Sequence, residues 1–321
     1  MENNRYNNFW RRLAPSVGLF FLAPLVGEYL LGNISIKDIW ALPFLAPMYG
    51  GGALLIREVT RRAGRGWPTL ILLGIAYGLL EAGLIDQSLF NPSFEDHVLQ
   101  DVAYIPALGV SAYNALAFIV GHAVWSIGTP IAIIETLVPA RRTTPWLGKV
   151  GLLVTAVMYI AGSVFVFRDL QREEQFLAST PQLIVVSTMA VALIGISFAV
   201  GRKPQPKIDR QTPNPWIVGT LSFVISSLFF GATENWVGVA FKLLLLALMT
   251  AVIIRWSRCQ GWGIPHRLAL AGGALMTYAW GGFVLTILLG RSETIHLVGN
   301  AIFAFGAIVL LIIAARKTHD M

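Results

Sequence analysis

The chain has 321 residues, of which 55% are hydrophobic and only 13% are charged, a composition typical of an integral membrane protein. Its net charge of +7 does not indicate nucleic-acid binding, because the basic residues lie between apolar segments and form no stripe or face. A single cysteine excludes an internal disulfide and a cysteine metal cluster, and the histidines lack zinc-binding spacing. We expect no cofactor and no metal; the expected partners are membrane lipids and a small-molecule, ion or lipid substrate.

The first apolar segment, residues 13–32, follows three arginines and superficially resembles a signal peptide. It is too long for the hydrophobic region of a signal peptide, and it contains Pro24 and Glu28 without a convincing small-residue cleavage site. We therefore predict that this segment is the first transmembrane helix.

Turn residues and charges divide the chain into ten apolar segments, most of them close to the roughly 20 residues that a helix needs to cross a bilayer. The predicted spans are residues 13–32, 39–56, 68–90, 111–139, 145–167, 182–200, 215–232, 236–254, 265–289 and 297–315. The sequence therefore predicts an all-α, polytopic helical membrane protein with about ten transmembrane helices.

The basic residues predict the orientation of these helices. With the N-terminus inside, 19 of the 24 lysines and arginines fall in cytoplasmic segments, four fall in outer loops and Lys242 falls within a helix. This distribution obeys the positive-inside rule at every loop. Helices that run outward also begin with a tryptophan and a proline, such as Trp67 and Pro68, near the cytoplasmic face. We predict two cytoplasmic termini, in a bacterial or archaeal plasma membrane.

A basic, proline-rich segment divides the chain into two parts. Residues 202–215 contain four prolines and four basic residues, which is typical of a cytoplasmic linker. The predicted parts are a six-helix unit at residues 1–201, which carries most of the buried ionisable residues, and a four-helix unit at residues 216–321.

Apart from residues at the helix ends, six ionisable residues fall inside the predicted spans, and such a group near the bilayer centre costs roughly 2.5 to 3.5 kcal/mol on insertion scales. They are Glu28, Glu81, Asp86, His122, Glu135 and Lys242. Glu81 and His122 fall near the bilayer midplane on consecutive helices, where they could meet and form a functional pair. Glu28, Asp86 and Lys242 fall in the outer half of the membrane, where we predict that the lysine neutralises the carboxylates.

The third and fourth predicted helices each carry one polar or small face, a pattern that points toward protein or a water-filled cavity rather than lipid. The third helix has Gly74, Tyr77, Gly78, Glu81 and Ser88 on this face, and the fourth has Asn114, Phe118, His122, Trp125, Ser126 and Thr129. Two deep tryptophans, with Tyr278 nearby, are expected to form aromatic walls. The candidate residues for binding a substrate or a proton are Glu81, His122, Asp86, Glu28, Tyr77, Trp125, Trp280 and Lys242.

Structural roles are the alternatives for several ionisable residues. Glu135 lies near the inner surface and is expected to pair with Arg141 or Arg142 on the same helical face. Lys242 is expected to act as a counter-ion or to extend its ammonium toward the surface. His122 is also compatible with an ordinary hydrogen-bonded role inside the membrane.

The second predicted helix contains two prolines and the triplet Gly50, Gly51 and Gly52 in its middle. Glycine and proline both weaken a helix. One interpretation is a discontinuous helix that exposes backbone groups to a substrate, as in many transporters. The other is close packing of neighbouring helices against the glycines.

Two short motifs resemble a known family. Phe118 to His122 fits the pattern FxxxH, and His296 to Asn300 fits HxxxN; both patterns are similar to those of the CAAX-protease-like (CPBP) intramembrane proteases. The resemblance implies a membrane-embedded enzyme in which glutamates and histidines activate water. The first motif of that family, a glutamate pair followed by arginine, is not matched, because Ala82 follows Glu81 and no arginine follows in the span.

The leading hypothesis is a transporter or permease for a small molecule or ion, proton-coupled through Glu81 and His122. The alternative is a membrane-embedded enzyme acting on a lipid, isoprenoid or peptide, with Glu81 as general base and His122 as its partner. A structural subunit without chemistry is the third hypothesis. Nucleotide-binding and serine-hydrolase motifs are missing from the sequence, so neither an ATP-driven nor a serine-hydrolase mechanism is supported.

Overall fold

The computed structural model describes residues 2–94, 98–99, 102–200, 206–291 and 293–319, with the backbone alone for residues 2–11 and 319. Ten helices dominate the described residues. They are α1 (Glu2–Pro24), α2 (Leu42–Arg62), α3 (Trp67–Leu80), α4 (Ala112–Leu137), α5 (Lys149–Glu174), α6 (Thr180–Ala199), α7 (Pro215–Phe230), α8 (Trp236–Trp256), α9 (Ile264–Leu288) and α10 (Thr294–His319).

Eight helices of the described chain are long and apolar enough to cross a membrane, which confirms the prediction of an all-α polytopic membrane protein. α7 is apolar but has 16 residues, and α1 joins a polar first half to an apolar second half. More than half of each apolar window of α3, α4 and α9 is buried within the protein, against less than a quarter in α5, α6, α8 and α10. The first group therefore forms the interior, and the second faces lipid.

Two short pairs of β-strands lie in the segments between helices. β1 (Tyr104–Ile105) pairs antiparallel with β2 (Val110–Ser111) just before α4. β3 (Ile208–Gln211) pairs parallel with β4 (Cys259–Gln260), which ties the end of the predicted linker to the loop between α8 and α9. Residues 202–205 of that linker lie outside the described residues.

Several predicted helix ends differ from the observed ones; α5, for example, continues to Glu174 rather than ending at residue 167. α2 continues to Arg62 rather than ending at residue 56, because its last charged side chains are paired inside the protein. The helical structure after α3 ends at Ile85 rather than at residue 90, because Gln87 adopts a left-handed conformation with φ of 58°.

α2 is continuous across its three glycines, so of the two interpretations the discontinuous helix is wrong and close packing is confirmed. A Cβ atom on Gly50 would overlap the backbone of Phe20 in α1. A Cβ atom on Gly52 would lie 2.5 Å from the ring of Tyr77 in α3. The glycines therefore allow α1 and α3 to approach α2 at distances that no side chain permits.

Helical irregularities occur instead in three π-helical turns. These turns span Leu25–Tyr29 after α1, Glu81–Ile85 after α3 and His122–Gly128 within α4. Such turns are rare in proteins as a whole, but many of those that occur lie at functional sites. Each of the three carries one of the predicted intramembrane ionisable residues: Glu28, Glu81 and His122.

Cysteine labelling tests the predicted orientation, in which the loop between α5 and α6 is outside. In a Cys259→Ser background, Glu173→Cys is expected to react with an impermeant thiol reagent added to intact cells. Lys207→Cys is expected to react only after permeabilisation, because its basic segment should remain in the cytoplasm. Both positions are exposed, so burial does not limit the reaction. Labelling of Lys207→Cys in intact cells would contradict the predicted orientation.

Candidate functional site

Glu81 and His122, which the sequence placed at equal depth, are in contact. Glu81 Oε2 lies 2.5 Å from His122 Nε2, and 3% and 13% of the two side chains are exposed. Gly78, one turn before Glu81, allows this approach, because a Cβ atom there would lie 2.7 Å from the carbonyl oxygen of Ile119. The small faces predicted for α3 and α4 therefore meet and bring the carboxylate to the imidazole.

The Glu81–His122 contact is short, and among the described residues Glu81 Oε2 has no partner other than this imidazole. The other imidazole nitrogen, His122 Nδ1, lies 3.3 Å from Ser126 Oγ. A hydroxyl can donate or accept, so either imidazole tautomer is compatible with this contact. The pair has the groups needed to bind, share or exchange a proton.

A second carboxylate reaches the pair through Tyr49 of α2. The Tyr49 hydroxyl donates to Glu28 Oε1 at 2.5 Å and lies 3.3 Å from Glu81 Oε1. Glu28 Oε2 accepts a hydrogen bond of 2.7 Å from Asn33 Nδ2. Sequence reasoning missed Tyr49, although its position beside the glycine triplet of a deep helix was a usable signal.

Tyrosine rings flank the imidazole. The ring centroids of Tyr49 and Tyr77 lie 5.8 Å and 6.0 Å from that of His122. Tyr77 is therefore at the site as predicted, and its buried hydroxyl has no hydrogen-bond partner in the part of the chain that is described. Tyr159 of α5 packs behind it, with the two ring centroids 6.3 Å apart.

The structure places the two deep tryptophans away from this imidazole, so the predicted tryptophan walls are wrong. Trp125 stacks on Tyr278 of α9 with ring centroids 4.4 Å apart, and its indole donates to Ala274 O. Trp280 donates from its indole to Ser227 Oγ of α7 at 3.0 Å. Both tryptophans hold α9 against its neighbours. Depth along a helix, which the sequence gives, does not fix the direction in which a side chain points.

The predicted outer charge layer of Lys242, Glu28 and Asp86 is also wrong. The Lys242 ammonium lies 3.4 Å from the ring centroid of Tyr113 and 4.8 Å from that of Phe229. Lys242 is absent from the ion pairs of the described residues. Aromatic faces stabilise this cation in place of carboxylates.

Asp86 lies beyond the Glu81–His122 pair, toward the predicted outer surface. Its Oδ1 accepts a hydrogen bond of 2.9 Å from the backbone N–H of Ser88. The side chain borders a shallow cavity together with Gln87, Gln171 and Phe176. Neither Glu81 nor His122 is among the residues that line this cavity.

Glu135 pairs with arginines of α2, which corrects the predicted pairing with Arg141 or Arg142. It lies 3.1 Å from Arg57 Nε and 2.7 Å from Arg61 Nη2. The correction follows from the length of α2, because its predicted end at residue 56 left both arginines in a loop.

Arg57 is the centre of this inner network and is fully buried, as is its neighbour Glu58. Arg57 Nη1 donates to Glu58 Oε1 at 2.8 Å, and Nη2 donates to the carbonyl oxygens of residues 141, 142 and 144. Glu58 also accepts from the backbone N–H of Trp146 at 2.8 Å. The network joins α2 to the loop between α4 and α5 and has the character of a structural clamp.

The loop after Glu28 is tied to the start of α10. Arg291 Nη1 donates to Asn33 O at 2.7 Å, and Lys37 forms an ion pair with Glu293. A hydrogen bond from Lys37, together with its charge, lowers the pKa of the Glu293 carboxyl group. Asn33, whose side-chain amide donates to Glu28, is therefore part of the loop that Arg291 ties down.

The second motif of the protease resemblance lies in these outer contacts. His296 Nδ1 is 2.6 Å from Ser35 Oγ, and Asn300 Nδ2 donates to Thr286 Oγ1 at 2.8 Å. The FxxxH histidine, His122, has its own partners in Glu81 and Ser126. The two motifs therefore have separate contacts in the fold.

Within the described ranges, no group of three or more histidine, cysteine, aspartate or glutamate side chains is arranged to hold a metal ion.

Comparison with known proteins gives one family. No curated protein and no solved structure matches the chain. Residues 19–316 match the model of a family described as an uncharacterized membrane protein family. This match does not confirm the resemblance to CAAX-protease-like proteases. Because the match covers nearly the whole sequence, the chain belongs to this uncharacterized membrane protein family.

Proposed function

We propose that the protein is a proton-coupled transporter or permease for a small molecule or ion. In this proposal it lies in a plasma membrane with both termini in the cytoplasm. The supporting observation is the buried contact of 2.5 Å between Glu81 and His122. An intramembrane carboxylate that had no function would still carry the cost of insertion, so its presence beside an imidazole favours a proton-binding role.

The backbone around the pair supports the same proposal. Glu28, Glu81 and His122 each belong to a π-helical turn, and these three turns lie on three different helical segments. Interrupted helices near the midplane form the binding sites of many transporters. The turns therefore provide backbone that is able to rearrange around a proton-binding group.

A membrane-embedded hydrolase is the second candidate. The observation that favours it is the position of Glu81 Oε2, which lies against the imidazole and has no other partner in the described structure. A carboxylate held beside a histidine is suited to accept a proton from an attacking water. In this candidate Glu81 is the general base and His122 its partner.

A pH jump on proteoliposomes adsorbed to a solid-supported membrane tests proton binding without a known substrate. The wild-type protein is expected to give a transient current, because a proton moves into the membrane to reach Glu81. Glu81→Gln keeps the shape of the side chain but cannot bind a proton, so the current is expected to be lost. Glu293→Gln removes an exposed carboxylate and is the matched control, with its current retained. Equal currents from wild type and Glu81→Gln would refute the proposal.

A second measurement separates the two candidates. Proteoliposomes loaded with a fluorescent pH indicator are placed under an inward proton gradient and mixed with amino acids, organic anions or organic cations. A proton-coupled transporter is expected to acidify the lumen with its solute, and Glu81→Gln is expected to abolish that acidification. Glu81-dependent proton binding without flux for any solute would favour the hydrolase.

A further inference from the structure

We infer that Tyr49 joins Glu28 and Glu81 into one proton-binding unit, in which the tyrosine hydroxyl relays a proton between the two carboxyl groups. This inference rests on the proposed function and adds a second carboxylate and a direction to the proton route. Neither a carboxylate pair nor a tyrosine relay was predicted from the sequence.

The hydroxyl position supports the relay. A tyrosine hydroxyl carries one hydrogen, so it can donate to only one carboxylate at a time. Tyr49 lies 2.5 Å from Glu28 Oε1 and 3.3 Å from Glu81 Oε1, so its hydrogen is directed to Glu28 in this arrangement. A movement of less than about 1 Å would bring the same hydroxyl to hydrogen-bonding distance of Glu81.

Charge balance supports sharing of a single proton. If His122 is protonated and both carboxyl groups are ionised, the three side chains carry one excess negative charge. Glu28 and Tyr49 are 7% and 4% exposed, and Glu81 is 2% exposed, so water does not compensate that charge. One further proton on either carboxyl group makes the unit neutral. Other titratable groups that face or approach the unit are Tyr77, Tyr159, Asp86 and Tyr278.

The relay step is balanced in protons and bonds. The Tyr49 hydroxyl gives its hydrogen to Glu28 Oε1 while it receives a proton from Glu81 Oε1. One O–H bond breaks and one forms at the tyrosine, which is a neutral phenol before and after the step. The net result is the transfer of one proton from Glu81 to Glu28.

The contacts of each carboxyl group give the relay a direction. Glu81 contacts the imidazole, whereas Glu28 accepts a hydrogen bond from Asn33, whose backbone carbonyl accepts one from Arg291. Glu28 is therefore the end of the unit that faces the outer loops. A proton bound at the pair would leave or enter through Glu28.

Infrared difference spectra of the purified protein in lipid, recorded between acid and alkaline buffer, test this coupling. Glu28→Gln and Glu81→Gln each identify one carboxyl C=O band by its loss. In the wild-type background, Glu28→Gln is also expected to shift the remaining Glu81 band, because an amide oxygen accepts the Tyr49 hydrogen more weakly than a carboxylate does and the hydroxyl then donates to Glu81. In a Tyr49→Phe background, Glu28→Gln is expected to leave the Glu81 band unshifted.

Tyr77→Phe is the matched control, because Tyr77 packs against the same imidazole but its hydroxyl has no hydrogen-bond partner among the described residues. The shift is expected to persist in that background. Persistence of the shift in Tyr49→Phe would overturn the relay. An unshifted Glu81 band in Glu28→Gln alone would also overturn it. This second measurement keeps Tyr49 and therefore tests the relay even if Tyr49→Phe does not fold. The spectra test only the coupling of Glu28 to Glu81 through Tyr49. A negative result would therefore overturn the relay without affecting the proposal that Glu81 binds a proton, which the pH-jump current tests.

Discussion

Arg57→Met is expected to lower the free energy of unfolding by about 3–5 kcal/mol, the range found when one partner of a buried ion pair is removed. Arg57 contacts both Glu58 and Glu135, and its exposed fraction is 0%. Methionine fills a similar volume but removes the guanidinium 2.8 Å from Glu58, so that Arg62, at 3.3 Å, is the ion-pair partner left to this buried carboxylate among the described residues. Unfolding in mixed micelles with increasing sodium dodecyl sulfate measures the loss.

Arg316→Met is the control for this prediction, because Arg316 is exposed in the last turns of α10 and its loss removes a charge without opening a buried network. Its unfolding curve is expected to match the wild type. Arg57→Lys is expected to recover only part of the stability, since an ammonium cannot reach two carboxylates and three carbonyl groups as a guanidinium does. An Arg57→Met curve that coincides with the control would show that the network does not stabilise the fold.

Gly50→Ala is expected to destabilise the protein by about 3 kcal/mol, at the upper end of the usual cost of overpacking. The added Cβ would overlap the backbone of Phe20, and backbone atoms cannot move aside as the end of a side chain can. α1 and α2 would have to separate, which would also draw Glu28 away from Tyr49. The same micelle unfolding measurement, combined with the pH-jump current, detects both effects.

Gly195→Ala in α6 provides the comparison, because no atom lies within 4 Å of the Cβ that it would add. This substitution is expected to stabilise the protein by about 0.5–1 kcal/mol, the usual advantage of alanine over glycine in a helix. Opposite signs for the two substitutions would separate packing from helix propensity. Stabilisation by Gly50→Ala would contradict the close approach of α1 to α2.

The sequence by itself determined the number of helices, their approximate limits and the depth of the ionisable residues. These properties depend on local runs of apolar residues, on the charges between them and on the length of helix that crosses a bilayer. Equal predicted depth, together with the small faces of α3 and α4, made Glu81 and His122 a candidate pair, and the structure brings them into contact.

Only the tertiary structure decided which partners the other polar residues have. Lys242 has a predicted depth similar to that of Glu28 but packs against Tyr113, and Glu28 instead accepts a hydrogen bond from Tyr49. Glu135 has its partners on α2, a helix that lies far away in the chain. The physical reason is that residue number fixes depth along a helix, whereas the direction of a side chain and the identity of its neighbours depend on how all the helices pack around it.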